Sequence, residues 1–286
     1  MSIWQRISNL DRRLIYIVLG IILMVPQFTP VIIPMNIDKM VPPLYEFIEE
    51  LEPGDPVLVS VEYSAVMKSE MTPVLHAVAK HLFDKGCTVL LWATSTDGAM
   101  FAQTVVEIAP EGYEVGRDIV NFGFVAGYEA AVSALCADFK KTFPADFFGN
   151  PTAGMEIIAD IDTIQDIKLV FQLTGGGLGP LLWVRQAVIP YGTAFASAVS
   201  SSMLPSAVPY YESGQILALL NGLVGAAEYE LLTETPGMGL AGMAGQSLGH
   251  LFVIAVVLLG NLAHFMQKRP PRDDGDGGAA AGGDNQ

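Results

Sequence analysis

Residues 169–180 read LVFQLTGGGLGP, and their reading decides the fold. A short apolar run ends at Thr174, four glycines fall within the next five residues, and Pro180 opens another apolar stretch. An apolar run of six residues bounded by glycine is a buried strand. Pro180 suits the first turn of a helix, where its missing N–H removes no hydrogen bond. Strand, glycine-rich turn and helix in that order cradle a phosphate in many nucleotide-binding proteins, so the residues are weighed against that chemistry. Gly175 and Gly177 match the first two glycines of GxGxxG, but Pro180 stands at the third. No acidic residue closes the following strand, TAFASAVS, where a ribose-binding carboxylate belongs, and the loop has no lysine. The turn is therefore no nucleotide loop. It keeps backbone N–H groups directed at a crevice, which suits a small anion.

Upstream, strands and helices alternate. PVLVSVEY is a strand whose nearly unbroken apolar run marks burial on both faces. MTPVLHAVAKHLFDKG is a helix with Met71, Val74, Leu75, Val78 and Leu82 on one stripe and Gly86 at its end. CTVLLWA is a second strand, DGAMFAQTVVEIAPEG a helix capped by Asp97, DIVNFGFV a third strand and YEAAVSALCADFKKTFP a helix. IKLVFQLT, the helical PLLWVRQAVIPYG and TAFASAVS complete five strands, after a short helix at 44–51. This order predicts an α/β fold: a three-layer, doubly wound, mainly parallel five-stranded sheet, Rossmann-like or flavodoxin-like. Beyond the fifth strand, helices are expected around 214–220 and 226–232, then a Gly/Ala/Met-rich stretch that is either a flexible linker or a closely packing segment.

The chain is too apolar for an average soluble protein: 51% hydrophobic, 16% charged, mean hydropathy +0.42. Residues 14–33 form an uncharged apolar stretch that Pro26 and Pro30 should kink or end, and residues 248–266 form a second. Basic residues flank both outer ends: Arg6, Arg12 and Arg13 before the first, Lys268, Arg269 and Arg272 after the second. The positive-inside rule then places both termini in the cytoplasm and the intervening domain, with 9 basic against 25 acidic residues and a net of −16, across the membrane. The expected organisation is a cytoplasmic N-terminus (1–13), a transmembrane helix (14–34), an extracytoplasmic α/β domain (35–246), a transmembrane helix (247–266) and a disordered cytoplasmic tail (267–286). Asn261 lies deep enough in the second span to hydrogen-bond the first.

The stretches IWQRISNLDRRLIYIVLG, YYESGQILALLNGLVGAAEYE and QSLGHLFVIAVVLLGN resemble a family of uncharacterised prokaryotic two-span membrane proteins. The resemblance implies one Rossmann-like α/β domain between terminal helices. It implies no activity and no catalytic residues.

Ligands of doubly wound sheets sit outside the carboxyl ends of the strands. Those ends here carry residues 62–64, 94–97, 127–129, 174–179 and 200–202. Glu62 and Glu129 could face one crevice as an acid/base pair or hold a metal, and Thr174, Gly175, Gly176 and Gly177 line the turn. The plainer reading is that every α/β rim is polar. Arg185 could pair an anion or a neighbouring carboxylate. His76 and His81, five apart and about 140° around a helix, make poor metal geometry and fall off the apolar stripe, so both should face solvent. No GxSxG, HExxH or GxxxxGK[ST] occurs. Cys87 and Cys136 lack metal spacing and read as buried free thiols, with one disulfide the alternative.

No metal and no cofactor are expected. With 30 acidic against 15 basic residues the chain is no nucleic-acid binder. Its expected partners are the lipid bilayer and a membrane protein or a second copy of itself. The leading reading is an anchored domain that works by protein interaction as a scaffold, assembly factor or subunit. The alternative is an enzyme or small-molecule binder using the strand-end crevice.

Overall fold

The structure, a computed structural model, describes residues 11–29, 34–176 and 179–267. The expectations for Arg6, Pro30, Gly177, Lys268, Arg269, Arg272 and the tail lie outside the described residues. The chain forms two units, residues 25–245 and the two terminal segments 1–24 and 246–286.

The larger unit is built on a sheet whose strands are β1 (Pro56–Glu62), β2 (Thr88–Ala93), β3 (Ile119–Phe124), β4 (Leu169–Thr174), β5 (Phe195–Val199) and β6 (Ala218–Asn221). They lie in the order β3-β2-β1-β4-β5-β6, every pairing parallel. This is the Rossmann order, in which the winding direction reverses between β1 and β4. The five-stranded expectation is corrected to six. The run from 217 to 220 is apolar throughout, and four residues are too few for periodicity to separate strand from helix.

Alternate strand residues feed two cores, as the period of two demands. Val57, Val59, Val61, Val89, Leu91, Phe171 and Leu173 pack under helices α2 (Pro42–Glu49), α3 (Lys68–Asp84), α4 (Thr96–Glu107) and α9 (Gly222–Leu232). Leu58, Leu90, Trp92, Val120 and Val170 pack on the opposite face. There they meet α5 (Glu129–Ala137), α6 (Phe139–Thr142) and α7 (Pro180–Trp183, prolonged by a π turn Val184–Val188 and a last turn Ile189–Tyr191). Helix α8 (Leu204–Glu212) joins β5 to β6. The expected helix 214–220 is thus a turn and β6, and the helical turn comes earlier.

Two further expectations change. Ser95, not Asp97, caps α4: its hydroxyl accepts the Gly98 N–H at 3.1 Å, while Asp97 accepts the Ala65 N–H. His81 is buried, 5% exposed, because α3 is covered on a second side by α2 and α9. Its Nδ1 lies 2.7 Å from the Tyr229 hydroxyl and its Nε2 2.9 Å from Glu49 Oε1. Burial lowers its pKa against the pull of Glu49. His76 is half-buried and meets Thr104. Both cysteines are buried and free.

Loop hydrogen bonds cover each edge strand, and at the start of β3 the Gly116 N–H donates to the Ile119 carbonyl. On β3, the Phe147 N–H donates to the Asn121 carbonyl, and on β6 the Leu219 N–H donates to the Met40 carbonyl.

The Gly/Ala/Met-rich stretch is no linker. It is the start of a helix, α10 (Met238–Gln267). The buried carboxylate of Glu230, on α9, accepts the N–H groups of Gly237, Gly239 and Leu240 at 2.8–2.9 Å, satisfying donors that a helix start leaves unpaired. Gly239 permits this approach, since a Cβ there would fall 2.7 Å from the Ala226–Ala227 backbone.

In the terminal unit, α10 continues with Leu251, Ile254, Leu258 and Phe265 all exposed. Residues 238–266 are long and apolar enough to cross a membrane. Helix α1 (Arg12–Phe28) has 17 residues, roughly 26 Å at 1.5 Å each. It therefore falls short of the span expected over 14–34, and α10 alone among the described residues meets the length. Gly249 lies against Leu23, where a Cβ would come within 2.9 Å of Leu23 Cδ2. Asn261 bonds its own helix, the Val257 carbonyl, rather than the other.

Replacing Glu230 by Ala strips the N–H groups of Gly237, Gly239 and Leu240, the last two buried, of their carboxylate acceptor. The Glu230→Ala variant is expected to lose about 3 kcal/mol or more in chemical unfolding of the full chain.

Candidate functional site

The reversal of strand order leaves a crevice between the carboxyl ends of β1 and β4, which no crossover connection covers. The cavity there measures about 210 Å³ and is lined by Glu62, Tyr63 and Ser64 after β1, Thr94 and Ser95 after β2, Tyr128, Gly175 and Gly176. Register explains the convergence. Glu62 pairs with Thr174 across the β1–β4 ladder. Ser60, Glu62 and Thr94 stand at even-numbered positions that share a face with Leu58, Leu90 and Trp92.

Glu62 is buried, 9% exposed. Its Oε1 accepts the Thr94 N–H at 2.9 Å and the Ser60 hydroxyl at 3.2 Å, and its Oε2 accepts the Thr94 hydroxyl at 2.5 Å. A carboxylate has about four lone-pair sites, so three are used by the protein and one is left on Oε2. Burial pushes the carboxyl up to about 7, against the opposing pull of the Thr94 and Ser60 donors. A carboxyl balanced near neutrality can hold a proton or accept a donor from a ligand.

Gly98 brings α4 against this carboxylate. A Cβ at Gly98 would run into the Val61 carbonyl oxygen, so only glycine lets the N-terminus of α4 lie beside the end of β1.

Other expected members are placed differently. Glu129 does not line the crevice: its carboxylate takes Arg185 Nη2 and Gln186 Nε2, each at 2.9 Å. Two candidates thus satisfy each other, and the Glu62–Glu129 acid pair is not formed. Thr174 is fully buried at the floor, its hydroxyl 3.4 Å from the Gly176 carbonyl. The Gly175 N–H donates to the Glu62 carbonyl oxygen and the Gly176 N–H to the Thr174 hydroxyl, so these two N–H groups of the turn are directed into the fold. Gly177 lies outside the described residues. Glu70, missed in the sequence, reaches from α3 to bind the Ser201 N–H and hydroxyl.

These contacts weigh against an anion. The crevice lining contains no lysine or arginine among the described residues. Helix N-termini carry partial positive charge, but α4 already holds Asp97 and α5 holds Glu129 in their first turns, while α7 opens with Pro180, which has no N–H. Among the described residues no group of three or more His, Cys, Asp or Glu could hold a metal ion.

Comparison with protein-family models, curated proteins and solved structures gives no match to this chain. The site is therefore defined by its own geometry.

The titration of Glu62 has a definite sign. Its folded value of about 7 lies above the ordinary 4.5, so the native state keeps a proton that the unfolded chain releases. Stability from this group is full below about pH 4.5 and is lost as pH rises to 7. Glu62→Gln removes the dependence. Between pH 4.5 and 8 the variant is expected to gain on the order of 3 kcal/mol relative to wild type in denaturant unfolding at stepped pH. Glu228, buried and pushed to about 7 by desolvation, adds the same slope to both proteins and cancels in the difference. Thr94→Val removes a donor that favours the ionised form, so the wild-type slope should extend to higher pH.

Proposed function

We propose that this chain is a membrane-anchored α/β domain that binds a small molecule at the β1–β4 crevice, through a hydrogen-bond donor on the ligand that meets Glu62. The observation that carries the reading is a buried carboxyl at the strand-order reversal, with one acceptor position left after its three protein donors are counted. Strongly shifted carboxyls in clefts are concentrated at functional sites. This reverses the preference drawn from the sequence for a pure interaction role. That preference rested on the lack of a legible chemical group, and the burial of Glu62 supplies one.

The anchoring half of the reading is supported by α10, and by the apolar α1, for which a second span is proposed. Both termini are proposed to be cytoplasmic and the α/β domain extracytoplasmic, on Arg6, on Arg12 and Arg13 at the start of α1, and on the basic cluster after α10. The resemblance to two-span membrane proteins agrees with that layout.

Two measurements test these proposals. Native mass spectrometry of the chain released from its membrane should show a small molecule retained on wild type and absent from Glu62→Gln, whose circular-dichroism spectrum is unchanged. Identical spectra for the two proteins would overturn the assignment of the crevice. A reporter fused after Gln286 should be active only in the cytoplasm, and activity on the other side would invert the proposed orientation.

A further inference from the structure

A second cavity, about 590 Å³, opens on the same carboxyl edge beside the end of β3. Met100, Phe122, Phe124, Phe143 and Phe147 supply most of its wall, and Ala126 stands at its exposed rim. Two loops serve both spaces. After β2, Ser95 lines the crevice and Thr96 the larger cavity; after β3, Tyr128 lines the crevice and Ala126 the cavity. The two are neighbouring compartments of one surface. Between them Tyr128 takes φ 49°, ψ −114°, a backbone conformation proper to glycine, with its side chain 61% exposed. A bulky residue held there is fixed by its surroundings, and such positions gather at binding sites.

Charge narrows what can fill this surface. Neither lining holds a lysine or arginine among the described residues. The one carboxylate of the larger cavity, Asp146, accepts the Phe148 and Asn150 N–H groups and Asn150 Nδ2, all donors of its own loop. Glu62 is the carboxylate of the crevice lining among the described residues. At about 210 Å³ the crevice alone is smaller than ordinary small-molecule sites, whereas the β3-end cavity falls within their range of roughly 300–1,000 Å³.

On the crevice reading given above, we infer that the ligand is an amphipathic amine, with its ammonium group donating to Glu62 and its apolar body lying in the β3-end cavity between Met100 and the phenylalanines. The ammonium group supplies the donor that Oε2 can accept and a charge that no neighbouring cation repels. The apolar body removes from water the otherwise exposed Met100, Phe124 and Phe147. Binding an ammonium group favours the ionised carboxylate, so affinity should strengthen as pH rises from 6 to 8.

The test is isothermal titration of the full chain in nanodiscs of zwitterionic lipid, with protein-free nanodiscs subtracted. The probes are benzylamine, 4-phenylbutylamine and 4-phenylbutyrate. Each added methylene placed against apolar wall should tighten binding roughly fourfold, so 4-phenylbutylamine is expected to bind tens of times tighter than benzylamine. The carboxylate probe should give no binding heat. Glu62→Gln should weaken both amines at least tenfold, whereas Ala126→Trp, on the exposed rim, should weaken only 4-phenylbutylamine by about tenfold. Unchanged amine binding in Glu62→Gln, or no binding of either amine to wild type, overturns the crevice reading itself. Loss in Glu62→Gln with equal affinities for the two amines, or with no effect of Ala126→Trp, overturns the extension into the β3-end cavity alone. Binding of 4-phenylbutyrate as tight as the amine overturns the head-group assignment.

Discussion

The structure depends on β1 having a parallel neighbour on both sides. Its partners are β2 and β4, so the chain must wind outward in one direction, return past its own starting point, and wind in the other. Crossovers of one hand put successive helices on opposite faces when the direction reverses, and the carboxyl ends of β1 and β4 are left without a connection over them. Everything placed there is both interior and accessible. Glu62 is the last residue of β1, and its burial, its hydrogen bonds to the end of β2 and its raised pKa all follow from that position.

The sequence made much of this architecture legible because a parallel sheet buries both faces. Runs such as VLVSV and VLLWA lack the alternation that makes antiparallel strands ambiguous, and the helices between them carry clear stripes. Legibility failed where the signal is short or three-dimensional. ALLN offers four residues, and LPSAVPYYE hides a helix behind two prolines, one of them at its start, where proline is tolerated. His81 sits off the stripe of α3, and a stripe reports only the first partner of a helix; the second, α9, arrives 148 residues later.

The candidate site divides in the same way. Glu62 and Thr94 stood out as strand-end residues, but the sequence could not say that the second supplies two donors to the first. Glu129 is equally a strand-end acid, yet it is spent on Arg185 and Gln186, consecutive residues of a π turn whose wider coil sets both toward one carboxylate. The glycine turn misled most, because a backbone N–H group in sequence carries no sign of where it points. Here those of Gly175 and Gly176 close on β1 and on Thr174.

One modest feature has consequences for life at a surface. Proteins anchored in a bilayer share an orientation and meet at high local concentration, so the open edges of their sheets are repeatedly presented to one another. A parallel sheet of six strands exposes two such edges, each a template for adding a strand from a neighbouring copy. In this chain the Phe147 loop, beside residues 114–116, occupies one and the Met40 loop the other, through backbone hydrogen bonds. These two loops act as guards against edge-to-edge polymerisation.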